Sequence, residues 1–314
     1  MTLPLLDTHT NKLPECSPAS AEMVNRLKRN SWTLSRKYGS FDHRRAERVA
    51  KCGMTTVELV RVADGSRRHV MSFLCQDRFC EICARKRSAK LARRYHAVIR
   101  ENCEGLHGHL LTLTYKNSHE LRERGRISKD VRSLLRRGVW KRYGGIVGGL
   151  YSVEVTKGEG GWHPHVHMLV FTRLPVASYR DGKWLVELNQ EVSNAWLEIT
   201  GDSFIVRGVS WNGNVEEVVK YMTKSPESLP VDELRELTSW ARGMRSVSAF
   251  GSLYGKQISE DIEEESVESG GTFMAIVRRF DSRAMEYVVL KTILIELDAG
   301  ATVRDIFSAV MRRE

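Results

Sequence analysis

A chain of 314 residues with 41% apolar and 8% aromatic content can fill the cores of two or three modest domains. It holds no run near the roughly 18 apolar residues of a membrane span, and its N-terminus, MTLPLLDTHTNKLPEC, lacks the charged-then-apolar layout of a secretory leader, so a cytoplasmic protein is expected. The net charge of +10 is clustered in residues 85–100 (RKRSAKLARRYHAVIR) and 121–142 (LRERGRISKDVRSLLRRGVWKR), against an acidic run at 260–268, which points to a nucleic-acid partner through phosphate neutralisation.

In chain order, the first fifteen or so residues have the Pro, Thr and Asn content of a loose terminus, and residues 20–50 read as basic helix. TTVELVRV and RRHVMSFLC alternate apolar and polar residues around Asp64-Gly65, a hairpin signal because Gly accepts the positive φ of a tight turn; the hairpin ends at Cys75. A basic helix follows from Cys80 to about Cys103. HLLTLTYKN (109–117) is a strand pattern, and a basic helical segment runs on to about Tyr143.

GGIVGGLYSVEVTKGEGGWHPHVHMLVFTRL reads as two strands joined by the KGEGG turn. Glu154 then sits on a strand beside His163, His165 and His167, whose alternate spacing sends all three imidazoles to one face. ELNQEVSNAWLEIT (187–200) has helical period, DSFIVRGVSW is a further strand, and NVEEVVKYMTKS (214–225) reads as a helix capped by Asn214. Helical pattern returns at 231–241. After the acidic run and Gly270-Gly271, TFMAIVRRF, EYVVLKTILIEL and TVRDIFSAVMRR read as a strand, a strand or helix, and a helix. The fold class is α+β, with antiparallel strands carrying helices on one face. There is no internal repeat.

Three constellations carry chemistry. Cys75-x4-Cys80-x2-Cys83 puts three thiols within nine residues, and Cys52 can complete a tetrahedron from across the hairpin; four thiolates suit a structural Zn2+ that would brace the hairpin against the basic helix. Cys16 and Cys103 stand apart and read as buried or indifferent. In WHPHVHML the flanking Trp162 and Met168-Leu169-Val170 bury the strand, where histidines need partners. Two imidazoles with the Glu154 carboxylate would leave coordination positions open, as a catalytic Mg2+ or Mn2+ requires to polarise a phosphate. On the third element, Glu217, Tyr221 and Lys224 fall at i, i+4 and i+7 of one helix face. Tyr221 is then a candidate nucleophile, Lys224 a cation favouring phenolate or offsetting transition-state charge, and Glu217 a general base.

HPHVHMLV resembles the His-hydrophobic-His motif of the HUH endonucleases, LLTLT (110–114) their first motif, and EVVKYMTK their tyrosine motif. The order and spacing are similar to the rolling-circle replication initiators of bacterial plasmids, in the branch with one nucleophilic tyrosine and a glutamate one helical turn before it. CQDRFCEICARKRSAK and RSVSAFGSLY (245–254) extend the likeness, which spans roughly Cys52 to Gly255. Any one of these motifs is weak evidence; four in order are strong.

The resemblance implies a nicking and joining enzyme with a central antiparallel sheet and flanking helices, acting in the bacterial cytoplasm. Tyr221 would attack a phosphodiester of origin DNA to leave a 5′-phosphotyrosine and a 3′-OH that primes a host polymerase, with a host helicase as further partner. His165 and His167 would be the metal pair, Glu154 the third ligand, and Glu217 the residue that activates water in the terminating cleavage; His163 lies outside the pair. The corresponding divisions are 1–50, a basic helical region; 51–103, the Cys-rich hairpin and basic helix; 104–256, the nicking domain; 257–271, an acidic linker; and 272–314, an α/β tail. Glu81 stands where relatives often carry proline, which loosens the expected zinc turn. Other readings of the same motifs are an HUH transposase or relaxase, a zinc-containing DNA-binding protein without catalysis, and a histidine-triad nucleotide hydrolase. The last is opposed by Pro164 between the first two histidines and by the unused cysteines and Tyr221 segment.

Overall fold

The computed structural model describes residues 18–175, 183–219, 226–256 and 266–311. Two antiparallel sheets organise them. The first is built from β1 (Thr55–Arg61), β2 (Arg67–Met71), β8 (Gly271–Asp281) and β9 (Glu286–Leu297), in the order β2-β1-β8-β9. The second is built from β3 (His107–Thr114), β4 (Ile146–Gly158), β5 (Gly161–Thr172), β6 (Val206–Ser210) and β7 (Val247–Gly251), in the order β6-β3-β5-β4-β7. The helices are α1 (Pro18–Tyr38), α2 (His43–Lys51), α3 (Glu81–Asn102), α4 (Ile127–Leu135), α5 (Lys183–Thr200), α6 (Val231–Trp240) and α7 (Val303–Met311). None is long and apolar enough to cross a membrane among the described residues.

The hairpin at the start of the chain and the strands at its end share one sheet. β1 pairs with β8 from Thr55–Arg279 to Arg61–Phe273. Val57, Leu59, Val277 and Ile295 bury one face under Ile306 and Val310 of α7. On the opposite face lies Glu58, fully buried, whose carboxylate accepts from Arg67 Nη1 at 2.9 Å and from Arg278 Nη1 at 2.8 Å. Burial pushes this carboxyl up, but the hydrogen bond from Arg278, the charge of His69 and the Arg67 contact outweigh it and hold the pKa below the usual carboxylate value. Segments 51–103 and 272–314, far apart in sequence, are thereby joined by strand pairing and by a buried ion pair.

The second sheet carries helices on both faces, not on one. Val166, Met168 and Val170 of β5 face a core with Trp196 of α5, Val131 of α4 and Leu234 of α6, while Leu169 and Phe171 face Leu91, Tyr95 and Ile99 of α3. The run MLVF is apolar at both parities, which is the mark of a strand buried on two sides. Close packing on the first of these sides requires Gly149, in register with Val170: a Cβ there would lie 2.1 Å from the Leu169 carbonyl and 2.5 Å from the Phe250 ring.

Pro164 sits in the central strand without breaking it. Its carbonyl accepts from Tyr115 N, and in an antiparallel ladder the missing N–H faces that same side. There the registered pairing with β3 has already ended at Thr114–His165, so no ladder bond to β4 is lost.

Residues 214–219 are a hydrogen-bonded turn and not the opening of a regular helix. Glu216 N donates to Asn214 Oδ1, and Val218 N and Val219 N both donate to Val215 O. Asn214 does cap the segment, but three valines packing onto the sheet tighten it. The rest of the expected 214–225 helix, and most of the acidic linker, lie outside the described residues.

Candidate functional site

The four cysteines converge. Cys52 follows α2, Cys75 ends the hairpin, Cys80 caps α3 and Cys83 sits in its first turn; all are buried and unbridged, with sulfurs within 4.8 Å of one another. The Cys52–Cys83, Cys75–Cys83 and Cys80–Cys52 sulfur separations are 3.5, 3.6 and 3.6 Å. A tetrahedral ion with metal–sulfur bonds of about 2.3 Å sets its ligands about 3.8 Å apart, so the cluster can hold a metal such as zinc. Hydrogen bonds from Cys52, Cys75 and Cys83 hold the Cys80 thiol well below its ordinary pKa, at the positive end of α3. Among the described residues it is the only group of three or more metal-type side chains packed this closely.

Two of the surrounding residues have no motif signal. Lys28 of α1 is fully buried, with Nζ donating to the Ala50 and Cys52 carbonyls at 2.6 and 2.7 Å. Burial holds its ammonium below the ordinary value, against the attraction of the Cys52, Cys80 and Cys75 sulfurs. Ser31 Oγ lies 3.2 Å from Cys80 Sγ. An i, i+3 pair on α1 thus lines the cluster, but in sequence both residues resemble the other polar positions of a basic helix. Glu81, the departure from proline, is held by Asn30 Nδ2 (2.7 Å) and Arg85 Nε (3.0 Å), so the turn is braced by side chains. Cys103 is buried at the end of α3; Cys16 lies outside the described residues.

The histidine stripe lies on β5 as its alternation requires, on the face shared with Leu169 and Phe171. Glu154 of β4 is in register with His165, Ser152 with His167 and Thr156 with His163. His167 Nε2–H donates to Glu154 Oε2 at 2.9 Å, and its Nδ1 lies 3.4 Å from Thr112 Oγ1 on β3. The His163 and His165 rings meet edge to face at 4.3 Å between centroids, and His165 and His167 at 6.3 Å. Strand register, not sequence proximity, brings the carboxylate to the imidazoles. His163 turns to the wall of a cleft of about 460 Å³ that also takes in Thr114, Lys116, Ser203, Phe204 and Ile205, and burial pushes its pKa down. Phe204 and Ile205 are half exposed there, a feature invisible in a segment that reads only as strand.

Glu217 belongs to the 215–219 turn, whose Val215, Val218 and Val219 pack on the same sheet face as the stripe. Ser88 Oγ of α3 donates to the Val219 carbonyl at 2.9 Å. The helix that starts at Cys80 therefore holds the backbone just before Tyr221. Tyr221 and Lys224 themselves lie outside the described residues.

The basic segments are less exposed than their sequences imply. Arg87 and Lys90 of α3 are buried. In 121–142, Arg124 forms a double hydrogen bond with Asp202 (3.2 and 2.8 Å), Arg137 pairs with Glu198 (3.1 Å) and Arg142 with Glu191 (2.8 Å). Acidic residues on and just after α5 answer that stretch, a pairing between segments some sixty residues apart in sequence.

The chain is similar to the protein named "Protein rep" from Streptococcus pneumoniae serotype 2 (strain D39 / NCTC 7466), at 29% identity over 244 residues, covering 71% of this chain and 74% of the relative. It is also similar to "Protein rep" of Lactiplantibacillus plantarum (26% over 258 residues, 73% and 78% covered) and of Lentilactobacillus hilgardii (24% over 247 residues, 72% and 78% covered). No solved structure gives a significant match. The family profile described as "Replication protein", Rep_1, matches residues 67–288, which run from β2 to the start of β9 and take in the whole five-stranded sheet with the histidine stripe. On that match, covering well over half of its length, the chain belongs to the Rep_1 family of replication proteins.

Proposed function

We propose that the protein initiates rolling-circle replication of a bacterial plasmid by nicking and rejoining one strand of origin DNA, as a single-tyrosine member of the HUH endonucleases. One observation carries this reading: Glu154 is in register with His165 and hydrogen-bonded to His167, on the sheet face over which the turn leading to Tyr221 is packed.

Carboxylate and imidazole are donors that a divalent cation takes: Glu154 already touches His167 and stands in register with His165, and the three would draw closer to share one ion. His165, His167 and Glu154 would hold Mg2+ or Mn2+, which supplies Lewis-acid polarisation of a phosphate. Tyr221 Oη forms a bond to phosphorus as the P–O3′ bond breaks; the phenol gives up its proton and the departing 3′ oxygen takes one up. The products are a 5′-phosphotyrosine and a 3′-OH primer for a host polymerase, with a helicase opening the template. Lys224 lowers the energy of phenolate and transition-state charge. In the closing cleavage Glu217 removes a proton from water, so hydrolysis ends the cycle. The cysteines would hold structural Zn2+ and so fix α3, whose Ser88 donates to the Val219 carbonyl, two residues before Tyr221. Residues 104–256 are on this reading the nicking domain.

The test is incubation with Mn2+ and single-stranded oligonucleotides covering the origin, followed by a denaturing gel. Wild type should form a covalent protein–DNA adduct, and Tyr221→Phe should form none. An adduct surviving in that variant would remove Tyr221 from its role, and equal loss of nicking and termination in Glu217→Ala would remove Glu217 from its own.

A further inference from the structure

A second cleft, of about 390 Å³, lies between α2, the 76–79 loop inside the cysteine motif, Arg87 of α3 and the 241–246 segment after α6. Five arginines line it: Arg45, Arg48, Arg78, Arg87 and Arg242. Among the described lining residues two carboxylates, Asp42 and Asp77, accompany them, so guanidinium groups outnumber carboxylates there. Asp42 is also engaged, accepting from Arg45 N as the cap of α2, and Asp77 pairs with Arg45 Nε.

Four of the five guanidinium groups are fixed in place. Arg48 Nη2 donates to the Cys75 carbonyl at 2.9 Å, Arg87 Nη2 to the Gln76 carbonyl at 2.9 Å, and Arg78 Nη1 to the Ala241 carbonyl at 3.0 Å. Arg45 is stacked over Tyr38 with its Cζ 4.4 Å from the ring centroid. Gln76 is held at φ +58°, a strained setting for a non-glycine residue and one that recurs at ligand clamps. Arg48 and Arg242 are exposed and have no ion-pair partner among the described residues. If these arginines served only to tie loops together, neutral donors would do as well without mutual repulsion. An anion brought into the cleft relieves that repulsion.

Location narrows the anion. Ser246, on the cleft wall, precedes Val247, which is in register with Ser152 of β4, two residues from Glu154. The cleft therefore adjoins the edge of the sheet that carries the histidine stripe. We infer that it binds a backbone phosphate of the DNA strand whose reacting phosphodiester lies at the stripe. The inference rests on the chain acting on DNA as proposed above, though not on the tyrosine chemistry.

The test uses the full chain, a fluorescent single-stranded oligonucleotide and a salt titration of its affinity. Each lost phosphate contact lowers the slope of log K against log salt by about 0.7 on a single strand. Arg242→Gln should weaken binding and flatten the slope at unchanged Tm, Arg48→Gln should flatten it with only the small loss of Tm that its Cys75 carbonyl bond carries, the two together should flatten it by about that amount, and Arg242→Lys should keep the slope. Unchanged affinity and slope in both Gln variants overturn the inference. So does saturable displacement of DNA by inorganic phosphate or a free nucleotide at matched ionic strength, because the cleft would then serve a small anion. Loss of slope with no covalent adduct in wild type sinks the nicking reading and leaves the cleft standing; an adduct with undiminished slope does the reverse.

Discussion

Replacing Glu58 by Gln tests the joint between the two ends of the chain. The carboxylate is fully buried and accepts from Arg278 on β8 and Arg67 on β2. Removing one partner of a buried ion pair costs about 3–5 kcal/mol, because the remaining charge stays desolvated. Arg67 is about a third exposed and can turn to water, so its share is discounted. Arg278 is only 17% exposed and has less room to escape. An effect of about 3 kcal/mol is therefore expected, near the low end of that range. At about 2–4 °C per kcal/mol, Glu58→Gln should lower Tm by about 6–12 °C. The decisive assay is a double-mutant cycle by urea unfolding with Arg278→Met. Residues in direct contact should show a coupling of at least about 1 kcal/mol. Additivity within about 0.5 kcal/mol would mean that the two side chains are not partners, and the pairing of β1 with β8 would fall with them.

Two further outcomes follow from buried cations and imidazoles. His109 on β3 is buried against Thr172, and desolvation followed by the charge of His107 lowers its pKa to about 4. Since the folded value lies below the unfolded one of about 6.5, its stability contribution is whole above about pH 6.5, declines as pH falls and is gone below about pH 4, a loss of about 3 kcal/mol. Urea midpoints across that range should show this limb in wild type and a smaller one in His109→Leu; identical limbs would refute the assignment. Lys28→Met removes a buried ammonium set against the thiol cluster, whose tetrathiolate complex with a divalent ion would carry two negative charges. Metal affinity, read by competition with a chromophoric chelator, should fall about 10–100-fold. An unchanged affinity would reduce Lys28 to a helix staple for the Ala50 and Cys52 carbonyls.

Local order determined much of this protein. The period-2 alternation of β1 and β2 and the KGEGG turn between β4 and β5 placed both hairpins, and the Cys75-x4-Cys80-x2-Cys83 spacing marked a thiol cluster because a short turn can aim neighbouring sulfurs at one point. His163, His165 and His167 share a face because a strand leaves them no choice. The tail was harder, since EYVVLKTILIEL is apolar at both parities and fits a strand or a helix alike; pairing with β8 resolves it as β9. The 214–219 stretch departs from its helical period because packing against Leu169 and Phe171 outweighs propensity.

What only the tertiary structure decided is partnership across long separations. Lys28 reaches the cysteines, acidic residues on and after α5 answer the cations of 121–142, Arg278 meets Glu58, and five arginines from α2, the cysteine loop, α3 and the 242 region share one cleft. Charge and hydrogen-bond complementarity between remote segments leaves no periodic trace along the chain, because it depends on distance in the folded molecule and not on spacing in the sequence.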